Sequence, residues 1–386
     1  MNIYHILYYY WGENTALDCI EVLQSMGHHV DIISNLLNSY DYDEAFMEDV
    51  KDKIHKEKYD CIFTFNYFPI ISRVSNDLKI IYISWVYDSP HLTLDSVTLS
   101  NAYNRVFLFD RILCNQYKQK GVNTVFYMPL ACNHHRIKKI KYESWRKYEH
   151  EITFLGSMYQ NEYDFLSQIH YLPDWLKGYI DSIIGMQLQI YGMDLSEELM
   201  NSQICREIEK YVKIDMGDDY IYNYDAILKN MIRKRVTVLE RYEILSLIGE
   251  HYPLDIYSEK IPENLKANFF GYADYVTQMP HIFCSSKINI NLTLRSILSG
   301  LPLRVIDILG AGGFLITNYQ IEMEEYFDNG KDLVWFESRE DLMEKIDFYL
   351  SHDSEREKIA LSGNKIVCKN FNYERQLSQI LEIAFL

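Results

Sequence analysis

Paired cysteines are missing from this chain of 386 residues. Its seven cysteines, Cys19, Cys61, Cys114, Cys132, Cys205, Cys284 and Cys368, are scattered, odd in number and never spaced C-x-x-C. That argues against a disulfide framework or a zinc site and for a reducing, cytoplasmic setting. An excess of positive charge is missing too: 38 Lys and Arg stand against 55 Asp and Glu, a formal net charge of -17. A nucleic-acid coat needs a basic field, so that class of partner is set aside. A small anionic ligand needs only a local basic patch and stays open. No apolar run reaches the roughly 18 residues that span a bilayer. The opening MNIYHILYYYWG has neither a basic n-region nor a small-residue cleavage site, so no signal peptide is assigned. H-E-x-x-H, G-x-S-x-G, the Walker loop and G-x-G-x-x-G are all absent. Their absence lowers the case for a metalloprotease, an α/β-hydrolase, a P-loop NTPase and an NAD enzyme. No internal repeat or low-complexity tract occurs.

What is present is the composition of a globular protein, 48% hydrophobic and 24% charged. The length suggests two domains. The 33 tyrosines are spread throughout and read as compositional bias that packing absorbs. Short apolar runs alternate with helical patterns: IYHILYYY (3–10), TALDCIEVLQSMG (15–27), HHVDIIS (28–34), YDCIFTFN (59–66), KIIYISWVYD (79–88), RVFLFD (105–110) and TVFYMPLA (124–131). A basic connector follows at 134–150, then the strand of EITFLGSMY (151–159). Residues 160 to about 250 are mostly helical in pattern, and 160–230 read as a helical insertion or lid. The alternation resumes through PLDIYS, NFFGYA, KININL, FLIT, LVWF and two closing helices. Alternating β and α segments imply parallel sheets covered on both faces. The expectation is an α/β chain: a first Rossmann-like domain over 1–135, a second over 136–370, and a last helix over 371–386. Ligands of such sheets collect at the carboxyl ends of the strands, and the crevice between two such domains is the default site.

The segment GLPLRVIDILGAGGFLITN (300–318) is the most informative. Pro302 fits the first turn of a helix. A helix N-terminus offers free N–H groups and partial positive charge to a phosphate. Arg304 could add a bidentate phosphate contact, and Asp307, at i+3 on the same face, could accept from two ribose hydroxyls. The alternative is an internal Arg304–Asp307 ion pair on a core helix. Gly310, Gly312 and Gly313 serve the C-cap and close packing in either case. Just upstream, Asn291, Thr293 and Arg295 lie past a strand's carboxyl end, where ligands or an ordinary loop would sit. Gly156 and Ser157 follow another strand, and Tyr272 lies near a third. In SWVYDSPH (84–91) an apolar strand ends in Asp88, with His91 three residues on. The pair could form a general base or an acceptor clamp, or Asp88 could bond its own backbone before Pro90. Asp41 and Asp43 spell D-x-D, a metal-diphosphate spacing, but a solvated loop is the better reading there.

These pieces in order resemble the GT-B glycosyltransferases, in particular the group of spore maturation protein CgeB-like enzymes. The resemblance rests on residues 300–319 together with IYISWVYDSP (81–90), FLFDR (107–111), YMPLACN (127–133), ITFLGSMY (152–159) and FNYERQLSQIL (371–381). It spans most of the chain except 160–230. It implies two Rossmann-like domains facing a cleft, an acceptor side in the first and a nucleotide-sugar side in the second, with the last helix packing back on the first. It implies transfer of a hexosyl or N-acetylhexosaminyl group from a nucleotide-activated donor, UDP-linked in the first instance. The acceptor would be a hydroxyl on a protein, glycan or small molecule. No cofactor, metal, nucleic acid or membrane span is expected. By the resemblance Asp307 holds the ribose and Arg304 the diphosphate, with Gly156, Ser157, Tyr272, Asn291, Thr293 and Arg295 around them. Trp11, Asn14 and Trp85 fall on the acceptor side. Related retaining enzymes often carry a glutamate eight residues before the ribose-binding acid; here that position is Ser299. An inverting reaction needs a base, for which Asp88 comes first and His91 second. Two other readings stand beside transfer: a nucleotide-sugar epimerase or hydrolase, and an inactive nucleotide-sugar-binding module.

Overall fold

Among the described residues the apolar runs become twelve short strands in two sheets. We describe residues 2–141, 148–159, 164–214, 219–221 and 223–386 of a computed structural model. The middle of the basic connector, 142–147, and the start of the expected insertion, 160–163, lie outside the described residues. The chain divides into two units. The first comprises Met1–Asn133, Met216–Tyr222 and Phe371–Leu386, and the second His134–Asp215 and Asn223–Asn370.

In the first unit the strands are β1 (His5–Tyr9), β2 (His29–Ile33), β3 (Cys61–Phe65), β4 (Ile81–Val86), β5 (Asn104–Leu108) and β6 (Val125–Tyr127). They pair in parallel in the order β2-β1-β3-β4-β5-β6. All five residues of β3 are buried, as expected of a strand covered on both faces. Many tyrosines are absorbed here: Tyr8 stacks on Phe63, and Tyr67 on Tyr82. The order reverses between β1 and β3, which makes their carboxyl ends a topological switch point. The last helix, Tyr373–Ala384, belongs to this unit. Asn372 caps it by accepting from the Arg375 N–H, and it buries Leu377, Ile380 and Leu381. Beyond it, Phe385 stacks flat on Tyr4 with ring centroids 4.1 Å apart.

In the second unit the strands are β7 (His150–Leu155), β8 (Leu254–Tyr257), β9 (Asn268–Gly271), β10 (Ser286–Asn291), β11 (Leu315–Asn318) and β12 (Val334–Phe336). All are parallel, in the order β12-β11-β10-β7-β8-β9. The switch point lies between β7 and β10. The expected insertion is helical, but it does not end at 230. One helix, Tyr224–His251, runs on through it. Its first half packs Leu228, Ile232 and Val236 into the insertion's own core, with Ile180 and Ile184. Its second half puts Ile244, Leu245 and Ile248 into the core under the sheet. The apolar stripe is continuous, so no break in pattern marks the boundary.

The stretch 353–370, unassigned from sequence, is an 18-residue helix, Asp353–Asn370. Gly363 lets it approach closely: a Cβ there would lie 2.2 Å from the Asp332 carbonyl oxygen and 2.9 Å from Leu309 Cδ2. Alanine is the better helix former by about 1 kcal/mol. The clash is with backbone that cannot step aside, so Gly363→Ala is expected to destabilise the second unit, by about 1–3 kcal/mol. A melting temperature equal to or above wild type would contradict this.

Candidate functional site

Pro302 is the N-cap of the helix Leu303–Ala311, one residue earlier than its expected place inside the first turn. The helix connects β10 to β11, so its N-terminus lies on the carboxyl side of the sheet. Gly312, at φ 76°, is its left-handed C-cap. Arg304 and Asp307 do share a face. Their closest charged atoms are 3.9 Å apart, too far for a hydrogen bond, so the internal ion pair is a loose one. Asp307 is 6% exposed and accepts from the Tyr275 hydroxyl at 3.2 Å. Arg304 lies over the Phe283 ring and meets Met279 Sδ at 3.1 Å. Burial pulls its guanidinium below the ordinary arginine value, with Asp307 acting against that. A desolvated cation of this kind gains most from an anion.

The loops at the switch point are braced by a side chain that sequence reading missed. Arg241, from the long helix, donates to the Ser157 carbonyl after β7 and, at 2.7 Å, to the Leu292 carbonyl after β10. It also lies over the Tyr159 ring at 4.7 Å. Nothing in the helical pattern around 241 distinguishes it from a surface arginine. Gly156 hydrogen-bonds to Tyr257 through its backbone, and a Cβ there would meet the Phe154 ring at 3.3 Å.

Three expected donor contacts are structural instead. Asn291 donates to Thr293 and Thr317, and the Thr293 N–H donates to Asn318. Asn291 and Thr293 are buried and hold the loop's shape. Arg295 forms a bidentate pair with Glu240 at 3.0 and 2.7 Å, donates to the Ile190 carbonyl and lies over Tyr191. Burial alone would lower its guanidinium, but Glu240 more than offsets this and holds it raised. Tyr272 is 60% exposed beyond β9, the outer strand, and does not join this group. Ser299, where related enzymes carry a glutamate, donates at 2.6 Å to the carboxylate of Glu322, and both are 2% exposed. Position 299 thus anchors a buried carboxylate from another loop and presents none of its own.

In the first unit, Asn66 follows β3 with φ 61° and clamps the loop after β4. Its amide donates to Asp88 Oδ2 at 2.7 Å and its oxygen accepts from the N–H of Tyr87 and Asp88. Asp88 therefore bonds a neighbouring strand's residue and not its own backbone. It is exposed, and its Oδ1 has no partner among the described residues. His91 does not pair with it. Its Nε2 lies 3.0 Å from the Tyr67 backbone nitrogen, 3.1 Å from the Tyr67 carbonyl oxygen and 2.8 Å from Thr93 Oγ1, which commits that nitrogen to the loop. His91 is thus a brace and a poor base. Burial lowers it below the ordinary imidazole value of 6.5, with the Tyr67 backbone and Asp88 acting against that. The unfolded chain then takes up the proton first as pH falls. The first unit is expected to lose stability from about pH 6.5 downward, by at most about 1.4 kcal/mol per pH unit. In His91→Gln that slope should flatten; an unchanged slope would reject the assignment.

Trp11 donates its indole N–H to the Phe65 carbonyl at 3.1 Å and stacks on Tyr87. Asn14 is exposed. Trp85 is 1% exposed and packs on Phe65 and Tyr373, so it is core and not an acceptor contact. Glu13 was missed. It is 4% exposed in the Trp11–Asn14 turn and accepts from Tyr8 at 2.5 Å and from the Trp11 N–H. Burial raises its carboxyl. Asp43 caps the helix Glu44–Lys56 and Asp41 accepts from the distant Tyr220, so both carboxylates of D-x-D are engaged. His5, Asp31 and Glu57 lie close enough to share an ion, but at the amino end of the sheet, away from these loops.

A family profile described as "Glycosyl transferase-like" matches residues 235–382. No curated protein matches the sequence. Among solved structures, sucrose-phosphate synthase from Thermosynechococcus elongatus is similar at 13% identity over 99% of both chains, with a TM-score of 0.54. A glycosyltransferase from Rickettsia africae is similar at 14% identity over 100% of this chain and 98% of the other, at 0.52. Anabaena HepE, solved with UDP-glucose, is similar at 11% identity over 99% and 100%, also at 0.52. At such identities the likeness shows the fold: two six-stranded parallel sheets with helices, the architecture of the GT-B glycosyltransferases.

Proposed function

We propose that this protein is a glycosyltransferase that moves a hexosyl or N-acetylhexosaminyl group from a nucleotide-activated sugar to a hydroxyl acceptor. The observation that carries the reading is the helix Leu303–Ala311, whose N-terminus, Arg304 and buried Asp307 converge on the carboxyl side of the sheet. Free N–H groups and a desolvated guanidinium suit a diphosphate, and a fixed carboxylate suits ribose hydroxyls. The family match covers this helix, and a structural neighbour was solved with UDP-glucose, which supports UDP as the nucleotide. The CgeB-like subgroup is the nearest reading of the motifs. With the diphosphate charge met by the helix and arginine, no metal is called for. For an inverting transfer, which needs a base at the acceptor, we assign to Asp88, the exposed carboxylate after β4, the role of taking the acceptor's proton. Seven free cysteines and no helix long and apolar enough to cross a membrane, among the described residues, fit a cytoplasmic enzyme.

The test is a thermal-shift panel of nucleotides and nucleotide sugars, followed by nucleotide release for any hit. A donor at 100 times its dissociation constant adds about 2.7 kcal/mol of stability. Release that depends on an acceptor marks a transferase; release without one marks a hydrolase. Asp307→Ala removes a charged acceptor of hydrogen bonds worth about 1.5–3 kcal/mol. UDP should therefore bind about 10–100-fold more weakly. Unchanged UDP affinity would remove the ribose assignment.

A further inference from the structure

We propose that a cavity in the first unit, at the carboxyl ends of β1 and β2, binds a neutral carbohydrate, and that this sugar is the acceptor. The second clause rests on the glycosyl transfer proposed above.

The cavity has a volume of about 310 Å³, at the low end of the range for small-molecule sites. It lies beside the switch point between β1 and β3, where such a sheet gathers ligands. Its walls are aromatic. Phe68 is met edge-on by Tyr9, with centroids 5.2 Å apart, and is stacked by Tyr40 at 5.6 Å. Trp11 closes the same side at 6.2 Å. Tyr40 is 55% exposed, yet its backbone is tied down by the Ile70 N–H. An exposed ring held in place is a ready stacking surface.

The rest of the lining is uncharged and mixed, with Leu36 and Leu37 beside Asn35, Asn38 and Ser39, in a chain with a net charge of -17. Asn35 spends its amide N–H on Asp49 at 2.7 Å, and Asn38 spends its own on Asp43 at 2.8 Å. Each side-chain oxygen is left as a fixed acceptor with no partner among the described residues. Ser39 Oγ accepts from the Asp41 N–H at 3.2 Å and keeps its own proton to donate. Flat apolar faces, fixed neutral acceptors and a hydroxyl match a pyranose, which has a C–H face and a rim of hydroxyls. An anion would meet no positive side chain here and would face the Asp43 and Asp49 carboxylates behind the asparagines. An acyl chain would leave the asparagine oxygens unpaired.

The experiment is saturation-transfer NMR on the full chain with methyl glucoside, methyl galactoside and methyl N-acetylglucosaminide. The UDP-induced thermal shift is read on the same samples. At least one glycoside should receive saturation on one ring face. Tyr40→Ala should weaken it about tenfold, the loss of one aromatic stack, and Tyr10→Ala, which removes a second exposed ring of the lining, should weaken it too, with the UDP shift intact in both. If none of the three receives saturation while UDP still shifts the melting temperature, the carbohydrate pocket is wrong and the donor reading stands. If a glycoside binds but no nucleotide does, the pocket stands and the transferase reading falls. Binding unaffected by both variants would place the sugar elsewhere and overturn the assignment. So would a preference for 4-methylumbelliferone over every glycoside, since the pocket would then be one for aromatics.

Discussion

Replacing Glu240 by alanine is expected to lower the stability of the second unit by about 3–5 kcal/mol, because it strands a buried guanidinium. The side chains of Arg295 and Glu240 are 10% and 1% exposed, and their contact is bidentate. In the native protein the pair satisfies both desolvated charges. Arg295 also donates to the Ile190 carbonyl, and its backbone N–H donates to Thr237 at 3.0 Å. One residue thus ties the loop after β10 to two parts of the helical region. At about 2–4 °C per kcal/mol for a unit of this size, the melting temperature should fall by roughly 6–20 °C. The pair contributes less than that figure suggests, since each charge is costly to bury. Joint replacement by Leu at 240 and Met at 295 should recover most of the loss. A single variant as stable as wild type would mean that water reaches this pair. A double variant no better than the single one would mean that Arg295 acts through its packing on Tyr191 alone.

Asp88→Asn is expected to lower kcat by about 100–10,000-fold, the usual contribution of a general base. The amide keeps the shape of the side chain and can still accept from Asn66, so the loop after β4 should hold. UDP affinity should not change, since every residue assigned to the nucleotide belongs to the other unit. A variant with full kcat would remove Asp88 as the base. One with lost UDP binding would make it a structural residue. In either case Glu13, whose carboxyl burial raises, becomes the next group to replace.

The β/α alternation was legible in the sequence because it rests on local periodicity. Every strand-like run named above contains a strand, TALDCIEVLQSMG became the helix Ala16–Ser25, and KININL through FLIT became β10, a helix and β11. Arg304 and Asp307 were legible for the same reason: i and i+3 share a helix face whatever surrounds them. Side chains whose roles depend on distant partners were not legible. Arg295 read as a ligand contact because its partner, Glu240, lies 55 residues away on the long helix. Trp85 read as an acceptor contact because a strand pattern does not tell a buried end from an open one. Glu322 could not be read at all, since its place beside Ser299 comes from a 23-residue separation closed by the sheet. By itself, then, the sequence determined the two-sheet α/β organisation and the helix face proposed for the nucleotide, both products of short-range pattern. The tertiary structure alone decided which polar residues are spent on holding the loops, because a buried charge takes its role from the partner that satisfies it.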